Sequence, residues 1–138
     1  MAYSTSMFQA ISILLFIHYK SEEGLYEYLS TRTIAEMLNI PSPTASKVLN
    51  KLNAAGLTLT KEGAKGGNLL ARPVSKITLL DVFYAIEQDK PLFKTQHNFN
   101  LEYEKLEEIT DKGIHCLQNA EIAMKDALQK VVLSELVV

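Results

Sequence analysis

LSTRTIAEMLNIPSPTASKVLNKLNAAGLTLTKEGAKGGNLLARP, residues 29–73, is the stretch that decides the fold. It reads as two short helices joined by a tight turn and followed by a β-hairpin. Ser30 or Thr31 is the cap candidate of the first helix, which sets Ile34, Ala35 and Leu38 on one face and is broken at Ile40 and Pro41. Ser42 is a second N-cap candidate, with Pro43 at the first helical position, where a missing N–H costs nothing. From there Ala45, Val48, Leu49 and Leu52 recur at helical spacing, and Gly56 is the expected stop. Helix-turn-helix units that read DNA have this layout. The residues that follow predict a wing. Leu57 to Lys61 alternates apolar and polar, a loop runs from Glu62 to Gly67, and Asn68 to Arg72 returns. Gly63, Gly66 and Gly67 are read as positive-φ positions that let the backbone approach a phosphodiester.

The face left outside carries the functional reading. With Ala45, Val48, Leu49 and Leu52 inward, Thr44, Ser46, Lys47, Asn50 and Lys51 point out, without a carboxylate among them. Hydroxyls and amides hydrogen-bond base edges, and ammonium groups neutralise phosphate. Residues 42–72 hold five cationic side chains against Glu62 alone, while the whole chain carries −2. The positive charge is thus concentrated on the one segment whose geometry suits a duplex. The expected base contacts are Thr44, Ser46 and Lys47. Phosphate contacts are expected from Lys51, Lys61, Lys65 and the Gly66–Gly67 backbone, with Ser42 and Asn50 completing the surface.

At these residues the chain resembles the Rrf-type winged-helix transcriptional regulators of bacteria. The resemblance lies in the order helix-turn-helix, AAGL, glycine-rich wing, LLARP and then ITLLDVFYAIE. It covers roughly residues 3–90 and, more loosely, the C-terminal helix. It implies a homodimeric DNA-binding regulator, and the repressor role rests on the resemblance alone. The wing departs from the family pattern, which has an arginine at Glu62 and an aromatic at Asn68; Lys61 and Lys65 are candidates to take over that contact. Cluster-binding members carry three cysteines in the region of residues 88–100 and the turn after it. This chain has none there, and its single cysteine is Cys116. One thiolate cannot hold a conventional iron–sulfur cluster, which takes four ligands. His115 and Cys116 diverge on a helix by about 100° and cannot easily share an ion with His97. No cofactor and no metal are expected.

The rest of the chain frames this unit. At 138 residues it suits one domain plus an arm, and 47% hydrophobic with 22% charged residues is ordinary for a soluble globular protein. A pI near 5.9 argues against a generally basic nucleic-acid coat, but not against a small basic surface on an acidic body. Residues 5–20 predict a helix that is apolar nearly all round, too short and too interrupted by Gln9 and Ser12 for a membrane span. Without a basic start or a cleavage site it is not read as a signal peptide, and a cytoplasmic location is expected. Such a helix must be covered on more than one side. In the connector 20–28, Tyr26 and Tyr28 are expected to pack on the wing base, with a phosphate contact as the alternative. Thr78 and Asp81 resemble a capping box ahead of a helix buried through Leu79, Val82, Phe83 and Ile86.

From Leu101 or Glu102 to about Val131 one long helix is expected. Leu106, Ile109, Gly113, Leu117, Ala120, Met124, Leu128 and Val131 step by three or four along it, a heptad-like seam. About 30 residues would extend ~45 Å, beyond the core of a small winged domain. The same helix from a second copy is the simplest cover, giving a two-fold homodimer. The apolar tail VVLSELVV is expected to fold back or to swap onto a partner. Cys116, next to the seam, is a candidate for a redox-sensitive intermolecular disulfide; the plainer reading is an inert thiol.

The fold expected is mainly α with a small β-wing. Residues 1–90 form a winged helix-turn-helix DNA-binding domain, and residues 91–138 a connector, a long dimerisation helix and a tail. The function expected is a sequence-specific transcriptional regulator that binds double-stranded DNA as a homodimer on a pseudo-palindrome. The alternative is a winged-helix protein-interaction module, which Glu62 in the wing favours. No nucleophile triad, paired-carboxylate motif or phosphate-binding loop supports an enzyme. The signal stays open between a small molecule in the dimer cavity, a partner protein, Cys116 chemistry and the protein's own concentration.

Overall fold

A computed structural model describes residues 5–25 and 27–138; the expectation for Tyr26 lies outside the described residues. The chain begins with α1 (Ser6–Glu22), whose Ala10, Ile13, Leu14 and Ile17 are buried. Next come α2 (Thr31–Leu38) and α3 (Ser42–Ala54), packed on one another and on α1. Strands β1 (Thr58–Lys61) and β2 (Gly67–Leu70) pair antiparallel, Thr58 opposite Leu70 and Lys61 opposite Gly67. A short 3₁₀ turn (Val74–Lys76) leads to α4 (Leu79–Glu87), and an irregular stretch leads to α5 (Glu104–Gln129). A final 3₁₀ turn spans Leu133–Leu136. The architecture is therefore a winged helix-turn-helix with a long C-terminal helix.

Local chemistry explains where each element starts and stops. Ser30 caps α2, its Oγ accepting the Thr33 N–H at 3.0 Å. The helix ends at Asn39, in the left-handed region at φ 53°, one residue before the expected break. There the Ile40 N–H reaches back to the Ala35 carbonyl at 2.9 Å and the Asn39 N–H to Glu36, a Schellman turn. Gly56 (φ 77°) ends α3 in the same way, with Leu57 N–H on the Leu52 carbonyl at 3.0 Å. Ser42 does not cap α3. Pro41 occupies the cap position, Ser42 and Pro43 are already helical, and no side chain caps the end. The Thr78–Asp81 capping box is complete, with bonds of 2.9 and 3.0 Å in the two directions.

One core serves the whole chain. Ile13, Leu14 and Ile17 of α1 meet Val48, Leu49 and Leu52 of α3, Val82 and Ile86 of α4, and Leu57 and Ile77 from the connections. In α4 it is Val82, Ala85 and Ile86 that are buried, while Leu79 and Phe83 are half-buried. The tail folds back within the chain. The Leu133 N–H donates to the Ile77 carbonyl at 2.8 Å, the Leu79 N–H to the Val131 carbonyl at 2.9 Å, and Leu133 is completely buried. Nothing on α5 is buried, and no helix among the described residues is long and apolar enough to cross a membrane.

Candidate nucleic-acid interface

Burial of Ala45, Val48, Leu49 and Leu52 leaves Ser42, Ser46, Lys47 and Asn50 exposed on α3, with Thr44 half-buried beside them. This is the carboxylate-free face that the spacing predicts. Lys51 differs. It is half-buried, and its ammonium donates to the Ile86 carbonyl at the end of α4, 3.2 Å away. The last carbonyls of a helix lack partners and carry its negative dipole end, so a lysine brought there by packing is held. Arg72 is likewise engaged, donating to the Lys76 carbonyl at 3.2 Å and lying 3.6 Å from Asp81. Of the five cations between residues 42 and 72, Lys47, Lys61 and Lys65 are the exposed ones.

The wing is held against the start of α2 by Asn68. This residue is buried, and its amide donates to the Leu29 carbonyl at 3.0 Å and to Thr31 Oγ1 at 3.2 Å, while Thr60 Oγ1 donates to its Oδ1. Backbone bonds between Leu29 and Asn68, 2.9 and 2.6 Å, add a third strand-like bridge. Asn68 is thus an internal clamp, although its place in a wing suggests a surface role. Gly67, at φ 143°, lies so close that a Cβ would stand 2.5 Å from the Leu29 carbonyl carbon and oxygen. Gly66 has no positive φ, contrary to expectation; its constraint is steric, since a Cβ there would run into the Lys61 carbonyl. The β1 alternation is also offset. Leu57 completes the helix cap and is buried, so Thr58 turns inward and Leu59 outward. The Thr58 hydroxyl has no hydrogen-bond partner among the described residues.

Lys61 lies over the Tyr28 ring, Nζ 5.4 Å from its centroid, so Tyr28 packs on the wing base as expected. Between the wing loop and the first turn of α2 runs a groove lined by Tyr28, Leu29, Ser30, Thr33, Lys65 and Gly66. Glu27 lines it as well, so the Lys65 ammonium there faces a carboxylate, and the Ser30 and Thr33 hydroxyls are bonded to one another at 2.8 Å. Only the folded wing brings Lys65 alongside these residues.

On α5 the seam lies open. Ile109 is 65% exposed, Leu106, Leu117, Ala120 and Gly113 are exposed, and Met124 and Leu128 are half-buried towards the body. Cys116 is a free, exposed thiol beside Leu117. Among the described residues no three His, Cys, Asp or Glu side chains converge as a metal site. The donor set does not fit an iron–sulfur cluster: one thiol on α5, His97 on the loop stacked against Phe99, and His115 on the helix surface.

Fold and site define a winged helix-turn-helix protein of the DNA-reading type. The sequence matches the Rrf2 family, described as an iron-dependent transcriptional regulator, over residues 3–138, and the chain belongs to that family of transcriptional regulators. It is 33% identical over 87 residues to YwgB of Bacillus subtilis, a candidate HTH-type transcriptional regulator by name; the match covers 63% of this chain and only 54% of that protein. Identity to the HTH-type transcriptional regulator NsrR of Oceanobacillus iheyensis is 27%, covering 91% of this chain and 74% of NsrR. Among solved structures, the global cysteine regulator CymR of B. subtilis superposes with a TM-score of 0.64 at 21% identity, over 99% of this chain and 95% of CymR. IscR of T. potens gives 0.66 at 19% identity, over 99% and 85%.

Proposed function

We propose that the chain is a sequence-specific DNA-binding repressor that acts as a homodimer on a pseudo-palindromic operator. One observation carries the reading. The exposed face of α3 presents Ser46, Lys47 and Asn50 without a carboxylate, and the wing adds two further exposed lysines, Lys61 and Lys65. In this reading α3 enters the major groove, and the wing lies along the adjacent backbone. Binding to DNA from upstream of the protein's own gene, titrated against salt, tests it. Lys47→Ala is expected to weaken binding by about 1–3 kcal/mol where the lysine reads a base. Lys65→Ala is expected to weaken specific and random DNA alike and to lower the salt slope by ~1. Equal, weak binding to both DNAs, indifferent to these substitutions, would instead favour the protein-interaction module, for which exposed Glu62 in the wing speaks.

The homodimer is supported by the uncovered seam of α5. A 26-residue helix extends ~39 Å, and no residue on it is buried within the chain. Gly113 provides a test. Nothing lies within 4 Å of a Cβ built there, so in an isolated chain Gly113→Ala should stabilise the helix by about 1 kcal/mol. If two helices cross closely at that glycine, the same substitution weakens the dimer, read by sedimentation at falling concentration. The thiol of Cys116 gives a second readout: mild oxidant is expected to yield a covalent dimer on a non-reducing gel where the helices cross between Gly113 and Leu117.

A further inference from the structure

We propose that Lys51 is a positioning residue that ties the reading helix to the long helix through the last turn of α4, and that it is not a phosphate contact. The inference rests on the DNA-binding reading above. Lys51 sits on α3, the helix that would enter the groove, yet its ammonium is spent on the Ile86 carbonyl. Its place is set by the unpartnered carbonyls and the dipole of α4. Directly beyond that carbonyl, Gln88 and Asp89 adopt φ of 53° and 64° in succession. Two consecutive non-glycine residues in the left-handed region are uncommon. The turn is closed by the Gln88 N–H on the Tyr84 carbonyl at 2.9 Å and the Lys90 N–H on the Glu87 carbonyl at 3.2 Å, and contacts from its surroundings add to that hold.

The surroundings on the far side belong to α5. Past the strained pair, the Leu92 N–H donates to the Glu121 carboxylate. Glu121 lies 3.9 Å from Lys125, and Lys125 stands 5.3 Å from the centroid of Tyr84, back on α4. Glu121 and Lys125 are both half-buried, so this linkage is less screened than the surface pairs elsewhere on the helix. The last turn of α4 is therefore gripped on one side by α3 and on the other by α5. A displacement of α5, from dimer rearrangement or from binding at its surface, has to be absorbed by residues 88–92 and is transmitted to α3 through the Lys51 ammonium. Packed elements with discrete arrangements transmit such shifts; energetic coupling between the two ends is the evidence required.

A double-mutant cycle with Lys51→Met, which keeps the stem and removes the charge, and Glu121→Gln supplies that evidence. DNA affinity and its salt dependence are measured on the full chain, together with amide exchange along residues 51–56. Lys51→Met is expected to weaken binding about three- to tenfold while leaving the salt slope unchanged, unlike a true phosphate contact. Glu121→Gln is expected to weaken binding as well, the double variant to lose less than the product of the two, and both single variants to speed exchange in residues 51–56. A salt slope reduced by ~1 in Lys51→Met, or strictly multiplicative losses, would overturn the proposal. Should the unsubstituted protein bind no DNA, the functional reading fails by itself. The exchange data then still decide the coupling: unchanged protection of residues 51–56 in Glu121→Gln would overturn it.

Discussion

Leu133→Ala is expected to destabilise the fold by about 2–5 kcal/mol, the range for truncating a fully buried leucine whose cavity cannot collapse. Leu133 is 0% exposed and belongs to the same cluster as Ile13, Ile77 and Val82, although only five residues of the sequence follow it. The segment leading to it is paired with residues 77–79, by the Leu133 N–H on the Ile77 carbonyl and by the Leu79 N–H on the Val131 carbonyl. The site is thus rigid, and relaxation into the void is limited. Against a typical total stability of about 5–15 kcal/mol, the loss is a large fraction of the fold. A urea midpoint at fixed protein concentration reads it, with concentration held because dimerisation would add to apparent stability. Leu136→Ala is the control: at 41% exposed it should shift stability by no more than about 0.5 kcal/mol. Equal, small shifts for the two substitutions would mean that the tail is not docked in this core. Because the tail follows directly on α5, its release would also free the base of that helix.

Gly67→Ala is expected to detach the wing. The φ of 143° is one that an L-residue rarely adopts, and strain of this kind costs about 1–3 kcal/mol. To that is added an overlap that no rotamer relieves. The new methyl would stand 2.5 Å from the Leu29 carbonyl and 2.9 Å from the Ser30 nitrogen, all backbone atoms. Relief requires β2 to move off residues 29–30, which breaks the paired Leu29–Asn68 bonds and the Asn68 clamp together. The amides of Leu29 and Asn68 should lose exchange protection, while those of the α1 core keep theirs. DNA binding should fall further than thermal stability, because Lys61 and Lys65 lose their fixed place beside Tyr28 and the start of α2. Gly24→Ala separates the two causes: it has a positive φ of 71° but nothing within 4 Å of the new atom, so it carries strain without overlap. Unchanged wing protection in Gly67→Ala would show that β2 is not docked as described.

Much of the candidate surface follows from local spacing. A helix places every third or fourth residue on one side, so burying Ala45, Val48, Leu49 and Leu52 necessarily exposes Ser46, Lys47 and Asn50. The Thr78–Asp81 box, the Gly56 stop and the long α5 with its uncovered seam are legible for the same reason, since each depends on neighbours within a few residues. Membership of the regulator family was readable in the order of those pieces.

What local spacing cannot decide is where a long or polar side chain ends once distant segments meet. Lys51 finds the Ile86 carbonyl 35 residues away, and Asn68 finds the Leu29 carbonyl 39 residues away. Both partners exist only after the helices and wing have packed, and a buried polar group must then be paired, which draws these side chains inward. The offset of β1, with Thr58 inside and Leu59 outside, arises because the helix cap claims Leu57 first. The tail's choice between folding back and crossing to a partner rests on the cavity that Ile77 and Val82 leave for Leu133, a non-local volume. The sequence by itself therefore determined the elements, their apolar faces and the family. The tertiary structure alone decided which of the five cations stay exposed, because that depends on partners brought together from far apart in the chain.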